Sequence, residues 1–125
     1  MHKLAGLFCV MLLLAGCGAP SATDAPVGMW KEIAPHNSFG FKATTYLDFR
    51  KDHGYTSEED EIIDGHTVVV GASFDSWKMN GEILELQAAH GSGLQPGWTT
   101  KAFQWVDQNH MDFEGSHFER VDKIP

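Results

Sequence analysis

The sequence predicts an all-β domain, a small up-and-down antiparallel β-barrel of about eight strands, which follows a cleaved signal peptide. Apolar residues alternate with polar ones in short stretches, the period of a half-buried strand. Clusters of Gly, Asn and Asp separate these stretches at regular intervals, which is typical of a barrel or sandwich. No stretch after Val27 keeps a helical period over about ten residues, so we expect little helix.

The N-terminus has the pattern of an export signal. Residues 1–3 supply a short basic start, and residues 4–15 (LAGLFCVMLLLA) form an apolar run without charge. This run is too short for the roughly 20 residues that a membrane-spanning helix needs. We therefore assign residues 1–16 to a secretory signal peptide.

A cysteine stands at the end of this apolar run. Leu14-Ala15-Gly16-Cys17 resembles the lipobox of bacterial lipoproteins, in which the thiol receives diacylglycerol and a peptidase cuts just before the cysteine. The resemblance implies that Cys17 is a lipid anchor that holds the protein on a membrane of the bacterial cell envelope. Because Gly18 is not Asp, it implies the outer membrane, facing the periplasm. Residues 18–26 (GAPSATDAP) are small, polar and interrupted by proline, which predicts a flexible tether.

The chain is acidic and the mature domain has no disulfide. It carries 9 Lys or Arg and 17 Asp or Glu, a formal net charge of −8. Such a surface repels nucleic acid and anionic lipid, so we expect no nucleic-acid partner and membrane contact through the anchor alone. Cys9 leaves with the signal peptide and Cys17 takes the lipid, so stability has to come from an apolar core.

Eight stretches of the mature chain carry the strand pattern. In residues 44–50, for example, Leu47 and Phe49 share one face. Asn80-Gly81 predicts a hairpin turn between two of the strands. The predicted strands are residues 27–33, 44–50, 66–70, 74–79, 82–87, 101–106, 110–114 and 117–121. Their apolar members predict the core, or the lining of a pocket if the barrel is hollow: Trp30, Leu47, Phe49, Trp77, Met79, Leu84, Leu86, Phe103, Trp105, Met111, Phe113 and Phe118.

The start of this domain carries a family resemblance. Residues 28–34 (GMWKEIA) resemble the G-x-W motif of lipocalins, which bacterial members often extend as W-x-E-I-A. The resemblance covers about residues 27–123 and implies a lipocalin-like barrel. It also implies that Trp30 closes one end of the barrel and that Arg120 packs across its indole. The leading functional hypothesis is therefore a lipid-anchored protein that binds a small apolar ligand.

Two other functions remain open from the sequence. A barrel filled by side chains would instead present surface loops to an envelope protein, as an interaction or inhibitor lipoprotein. Alternatively, neighbouring strands would bring His110 and His117 together as zinc or copper ligands. We favour no metal or cofactor, because the chain has no H-x-H motif and no ligand cysteine beyond the two already assigned. We also expect no enzyme, because no serine lies in a nucleophile elbow.

The acidic stretch at residues 55–65 (YTSEEDEIIDG) is the least regular part of the domain. Residues 58–61 are four consecutive carboxylates. Carboxylates are calcium ligands, but their spacing here fits no calcium loop, and charge runs are usually solvated. We therefore predict a solvated acidic loop.

Overall fold

The computed structural model describes residues 20–38, 40–88 and 97–124. The predicted signal peptide and Cys17 lie outside the described residues. The described residues form ten β-strands: β1 (Gly28–Glu32), β2 (His36–Ser38), β3 (Phe41–Phe49), β4 (Gly54–Ile63), β5 (His66–Asn80), β6 (Ile83–Ala88), β7 (Trp98–Lys101), β8 (Phe103–Asp107), β9 (His110–Phe113) and β10 (Ser116–Val121). Within these ranges there is no helix long and apolar enough to cross a bilayer.

All ten strands belong to one antiparallel sheet that is nearly closed into a barrel. The strand order is β7-β6-β5-β4-β3-β1-β10-β9-β8, and β2 pairs with β3 beside this path. β7 and β8, at the two ends of the order, are separated only by Ala102. The Ala102 N–H donates to Glu114 Oε2 (3.0 Å), and its carbonyl accepts from the Glu114 N–H (2.9 Å). When β2 is set aside and β7–β8 is taken as one bent strand, eight strands remain in chain order. The predicted up-and-down barrel is confirmed.

The turns lie alternately at the two ends of the barrel, because successive strands run in opposite directions. One end, which we call the Trp30 end, holds the entry to β1 and the turns that follow β3, β5 and β8. The opposite end, the distal end, holds the segment after β1, the β4–β5 turn at Asp64-Gly65 and the β9–β10 turn at Glu114-Gly115.

Apolar side chains fill the barrel interior towards the Trp30 end. The Phe49 ring centroid lies 4.8 Å from that of Tyr55, 6.4 Å from that of Trp77 and 5.9 Å from that of Phe113. Such tilted and edge-to-face pairs stabilise the core beyond the area they bury. The continuous buried cluster consists of Trp30, Leu47, Phe49, Tyr55, Trp77, Leu84, Leu86, Met111, Phe113 and Phe118, with Met79, Phe103 and Trp105 packed against it.

The acidic stretch forms a strand, and the prediction of a solvated loop is wrong. β4 pairs with both β3 and β5 over its length. Pairing on both sides satisfies its backbone, which outweighs the low strand propensity of acidic residues. Alternation then places Glu59 and Glu61 on the face of Tyr55, with Glu58 and Asp60 on the opposite face.

β5 is a single strand of 15 residues where the sequence predicts two shorter ones. The β4–β5 register shifts between Glu59 and Asp60, which lie opposite Gly71 and Val69. This bulge lets the strand continue through Gly71 instead of ending there. At its other end, the predicted hairpin is present: Asn80 pairs with Ile83, and Gly81 takes the positive φ of 64° that the turn requires.

Candidate functional site

The Trp30 end is closed by a stack of aromatic and cationic side chains. β1 and β10 place Arg120 directly opposite Trp30. The Arg120 Cζ atom lies 4.4 Å from the Trp30 ring centroid and 6.0 Å from that of Trp105. The two indole rings meet edge to face at 5.6 Å. Partial burial of the guanidinium lowers the pKa of Arg120.

Arg120 also joins the start of the domain to the β8–β9 turn. Its Nη1 donates to the Val27 carbonyl at 2.7 Å, and its Nε and Nη2 donate to the Gln108 carbonyl at 3.1 and 3.0 Å. A Cβ at Gly28 would lie 2.4 Å from Nη1, and Gly28 has a φ of 128°. Only glycine fits this position without strain, which gives the G-x-W motif a structural reason.

The packed part of the chain begins before the predicted start of the domain at residue 27. The Trp105 indole N–H donates to the Asp24 carbonyl (3.0 Å), and the Trp30 indole N–H donates to the Pro26 carbonyl (2.9 Å). Pro26 is fully buried and Ala25 packs against the core cluster. Residues 24–26 therefore belong to the barrel, because the buried indole of Trp30 and the partly buried indole of Trp105 need acceptors that the Pro26 and Asp24 carbonyls supply.

An apolar depression of about 340 Å³ lies at the distal end. His36 stands at its rim, with Nδ1 2.8 Å from Glu32 Oε1 and Nε2 3.6 Å from Glu59 Oε1. The hydrogen bond to Glu32 and the two negative charges raise the pKa of His36. The depression is lined by Glu32, Ile33, Ala34, His36, Gly115, Ser116 and His117.

The structure does not bring His110 and His117 together as a ligand pair. His110 lies opposite Glu119, and His117 lies opposite Asp112. The Nδ1 of His110 contacts Asp107 Oδ1 at 2.9 Å, and that of His117 contacts Asp112. Among the described residues no group of three or more His, Cys, Asp or Glu side chains is placed to hold a metal ion. Each imidazole instead forms a local pair with a carboxylate.

A carboxylate pair lies on the outer face of β4. Tyr46 of β3 lies opposite Glu58, and Thr44 lies opposite Asp60. Glu58 Oε2 and Asp60 Oδ1 are buried and have no hydrogen-bond partner within the described ranges. Burial, and then the neighbouring Asp60 carboxyl, raises the pKa of Glu58. Glu58 therefore retains its proton more readily than a free glutamate does.

The distal half of β5 is exposed and apolar. β5 pairs with β4 from His66 to Ser76, but with β6 only from Asp75 to Asn80. Residues 66–74 (HTVVVGASF), which we call the β5 edge, thus have no second partner strand among the described residues. Val69 is 54% exposed and Phe74 is 62% exposed. The sequence indicated a strand here but gave no sign that it lies at an edge.

Comparisons with known proteins bear on the fold alone. No protein-family model matches the chain, and no curated protein matches it. A solved structure with a similar fold is the crystal structure of a lipoprotein, YedD, from Klebsiella pneumoniae subsp. pneumoniae MGH 78578. The two share 12% sequence identity and a TM-score of 0.52, over 85% of this chain and 79% of that one. The chain thus shares its nearly closed antiparallel barrel fold with this lipoprotein.

Proposed function

We propose that the protein is a lipid-anchored protein of the bacterial envelope whose filled barrel is a scaffold for contact with another envelope protein. The observation that carries this proposal is the packing of the interior. The side chains that would line a deep pocket pack together instead: the Phe49 ring lies 6.4 Å from that of Trp77 and 5.9 Å from that of Phe113. A barrel that fills its own interior binds through its surface.

The anchor is Cys17, and its place in the chain orients the barrel. Asp24 is held at the Trp30 end and lies 7 residues (24 − 17) after Cys17. Seven residues span at most about 25 Å. The Trp30 end therefore faces the membrane, and the distal end faces the periplasm from the outer membrane. The fold of the Klebsiella lipoprotein supports a lipoprotein assignment, although its sequence is only 12% identical.

Mass spectrometry of the protein extracted from membranes tests both the lipid anchor and the filled barrel. We expect the mature N-terminal peptide to begin at Cys17 and to carry diacylglycerol and a further acyl chain, and we expect Cys17→Ala to abolish both processing and lipidation. An unmodified Cys17 in the mature protein would refute the anchor. In native spectra of the same extract, we expect the protein without a small molecule. A stoichiometric apolar ligand would refute the scaffold.

A second candidate function rests on the distal depression. Its volume of about 340 Å³ lies at the lower end of the range of small-molecule sites. Its mostly apolar lining, with His36 at the rim, suits a small apolar ligand with one polar group. Titration with the apolar fluorophore 1,8-ANS distinguishes the two functions. Saturable binding that Ala34→Trp abolishes and the distant Ala22→Trp leaves unchanged would support a ligand site.

A further inference from the structure

We propose that the β5 edge is a docking site to which a partner protein adds an extended, basic segment as a new antiparallel strand. This inference rests on the proposed function only in that the barrel acts through contact with a protein. To that proposal it adds where on the barrel the contact lies and which kind of segment the partner supplies.

The backbone of the β5 edge is suited to strand addition. The open side of an edge strand presents N–H and C=O groups that a new strand can pair with. Proteins usually block such edges with lysine, proline or inward-pointing charges. The β5 edge has none of these over 9 residues (74 − 66 + 1), and its only ionisable side chain is His66. Val68, Val69 and Val70 are 41%, 54% and 44% exposed, which favours apolar side chains on the added strand.

The charge of the partner follows from the neighbouring strand. Beside the β5 edge, β4 carries four consecutive carboxylates at residues 58–61, of which Glu58 and Glu59 are partly exposed and Asp60 and Glu61 are buried. Glu58 lies opposite Ala72, and Glu59 lies opposite Gly71. These two β5 residues are small, and a Cβ at Gly71 would have no atom within 4 Å. Lysine or arginine side chains on a strand added to β5, about 10 Å from β4, therefore extend over Ala72 to Glu58 on one face of the sheet, or over Gly71 to Glu59 on the other.

The same charges argue against a second copy of this chain as the occupant. Antiparallel pairing of two β5 edges would place the two β4 strands about 14 Å apart. Each copy carries a formal net charge of −8, with four of its carboxylates on that β4 segment. Like charges at this separation oppose association at low salt. A basic segment gains from the field that repels a second copy.

Synthetic peptides provide a direct test on the mature protein. The probe is a fluorescent nine-residue peptide that alternates lysine and valine, and binding is followed by anisotropy and by amide hydrogen exchange. We expect the probe to bind, to slow exchange in residues 66–74 and to bind more weakly as salt is added. A control peptide of equal charge with prolines at two valine positions should not slow this exchange. A glutamate–valine peptide should not bind.

Two pairs of variants locate the contact. Val69→Lys places a charge on the β5 edge and should weaken probe binding at least about tenfold. Its control, Ile83→Lys, adds the same charge at another exposed aliphatic residue, on a strand that is paired on both sides, and should have little effect. Glu58 and Glu59 lie on opposite faces of β4, so the double variant Glu58→Gln with Glu59→Gln removes the one carboxylate on the face that carries the lysines of the probe. It should weaken binding about twofold, as expected for one partly exposed ion pair. The control, Glu82→Gln with Glu119→Gln, removes the same charge away from the β5 edge and should have little effect on probe binding.

Three outcomes would overturn the docking site. In the first, residues 66–74 are already fully protected in the free protein. In the second, the probe protects other strands or ignores Val69→Lys. In the third, protection of residues 66–74 rises with protein concentration, which would make a second copy the occupant. A co-purified apolar ligand, in contrast, would refute the scaffold while leaving the peptide results unchanged, so the two proposals fail separately.

Discussion

Replacement of Arg120 by alanine should destabilise the barrel by about 2 to 3 kcal/mol. The guanidinium lies 4.4 Å from the Trp30 ring centroid, and such a cation–π contact at an exposed site contributes about 0.5 to 1 kcal/mol. The hydrogen bonds to the Val27 and Gln108 carbonyls add about 1 kcal/mol each. These values are at the low end of their ranges because the outer side of Arg120 is exposed to solvent.

Urea denaturation of the chain from residue 17, with Cys17→Ala to exclude acylation, measures this loss. Arg120→Lys should recover less than half of it, because one ammonium cannot reach both carbonyls while lying over the ring. Lys123→Ala removes an exposed charge nearby and should change the free energy of unfolding by less than about 0.5 kcal/mol. Arg120→Ala and Trp30→Phe should be non-additive by about 0.5 kcal/mol or more. Additive losses, or a loss from Arg120→Ala as small as that of Lys123→Ala, would refute the proposed stack.

Three further predictions concern the same barrel. Gly28→Ala should lower the free energy of unfolding by about 1 to 3 kcal/mol, because alanine is strained at a φ of 128°, and by less in an Arg120→Ala background, where the clash with Nη1 is absent. The raised pKa of Glu58 means that its protonated form stabilises the fold, fully below about pH 4.5 and progressively less as the pH rises through the folded-state pKa. Glu58→Gln should therefore be more stable than the wild type at neutral pH and equal to it at pH 4. The raised pKa of His36 means that its protonated form stabilises the fold fully below about pH 6.5 and progressively less as the pH rises through the folded-state pKa. Urea midpoints should therefore fall as the pH rises above about 6.5, and His36→Gln should remove that fall.

The strand pattern predicted the barrel where one face of a strand is apolar and the other polar. Leu47 and Phe49 in β3 and Leu84 and Leu86 in β6 alternate with polar residues, and all four are buried. Alternation fixes the face of a side chain, but it does not fix whether that side chain packs against others or lines a cavity. That distinction depends on how closely the rings of opposite strands approach, and sequence carries no such distance.

The acidic strand β4 is a part of the fold that the local sequence pattern does not predict. Runs of charge are usually solvated, so the four carboxylates at residues 58–61 predict a loop. A local signal for a hairpin was nevertheless present, because Asp64-Gly65 is a preferred dipeptide for a two-residue turn, and both residues have positive φ (51° and 79°). The pairing of β4 on both sides is a long-range property, and it overrides the preference of single residues.

The position of the β5 edge follows from the same long strand. From Asn80, at the Trp30 end, to His66 is 14 steps (80 − 66), about 45 Å along the strand. The proposed anchor lies within about 25 Å of the Trp30 end. The β5 edge and the carboxylates of β4 are thus carried away from the membrane, where the anionic surface would otherwise repel them and compete for a basic segment. In the proposed arrangement, a partner that pairs with this edge approaches from the side away from the membrane, and lengthening the tether should leave its affinity unchanged.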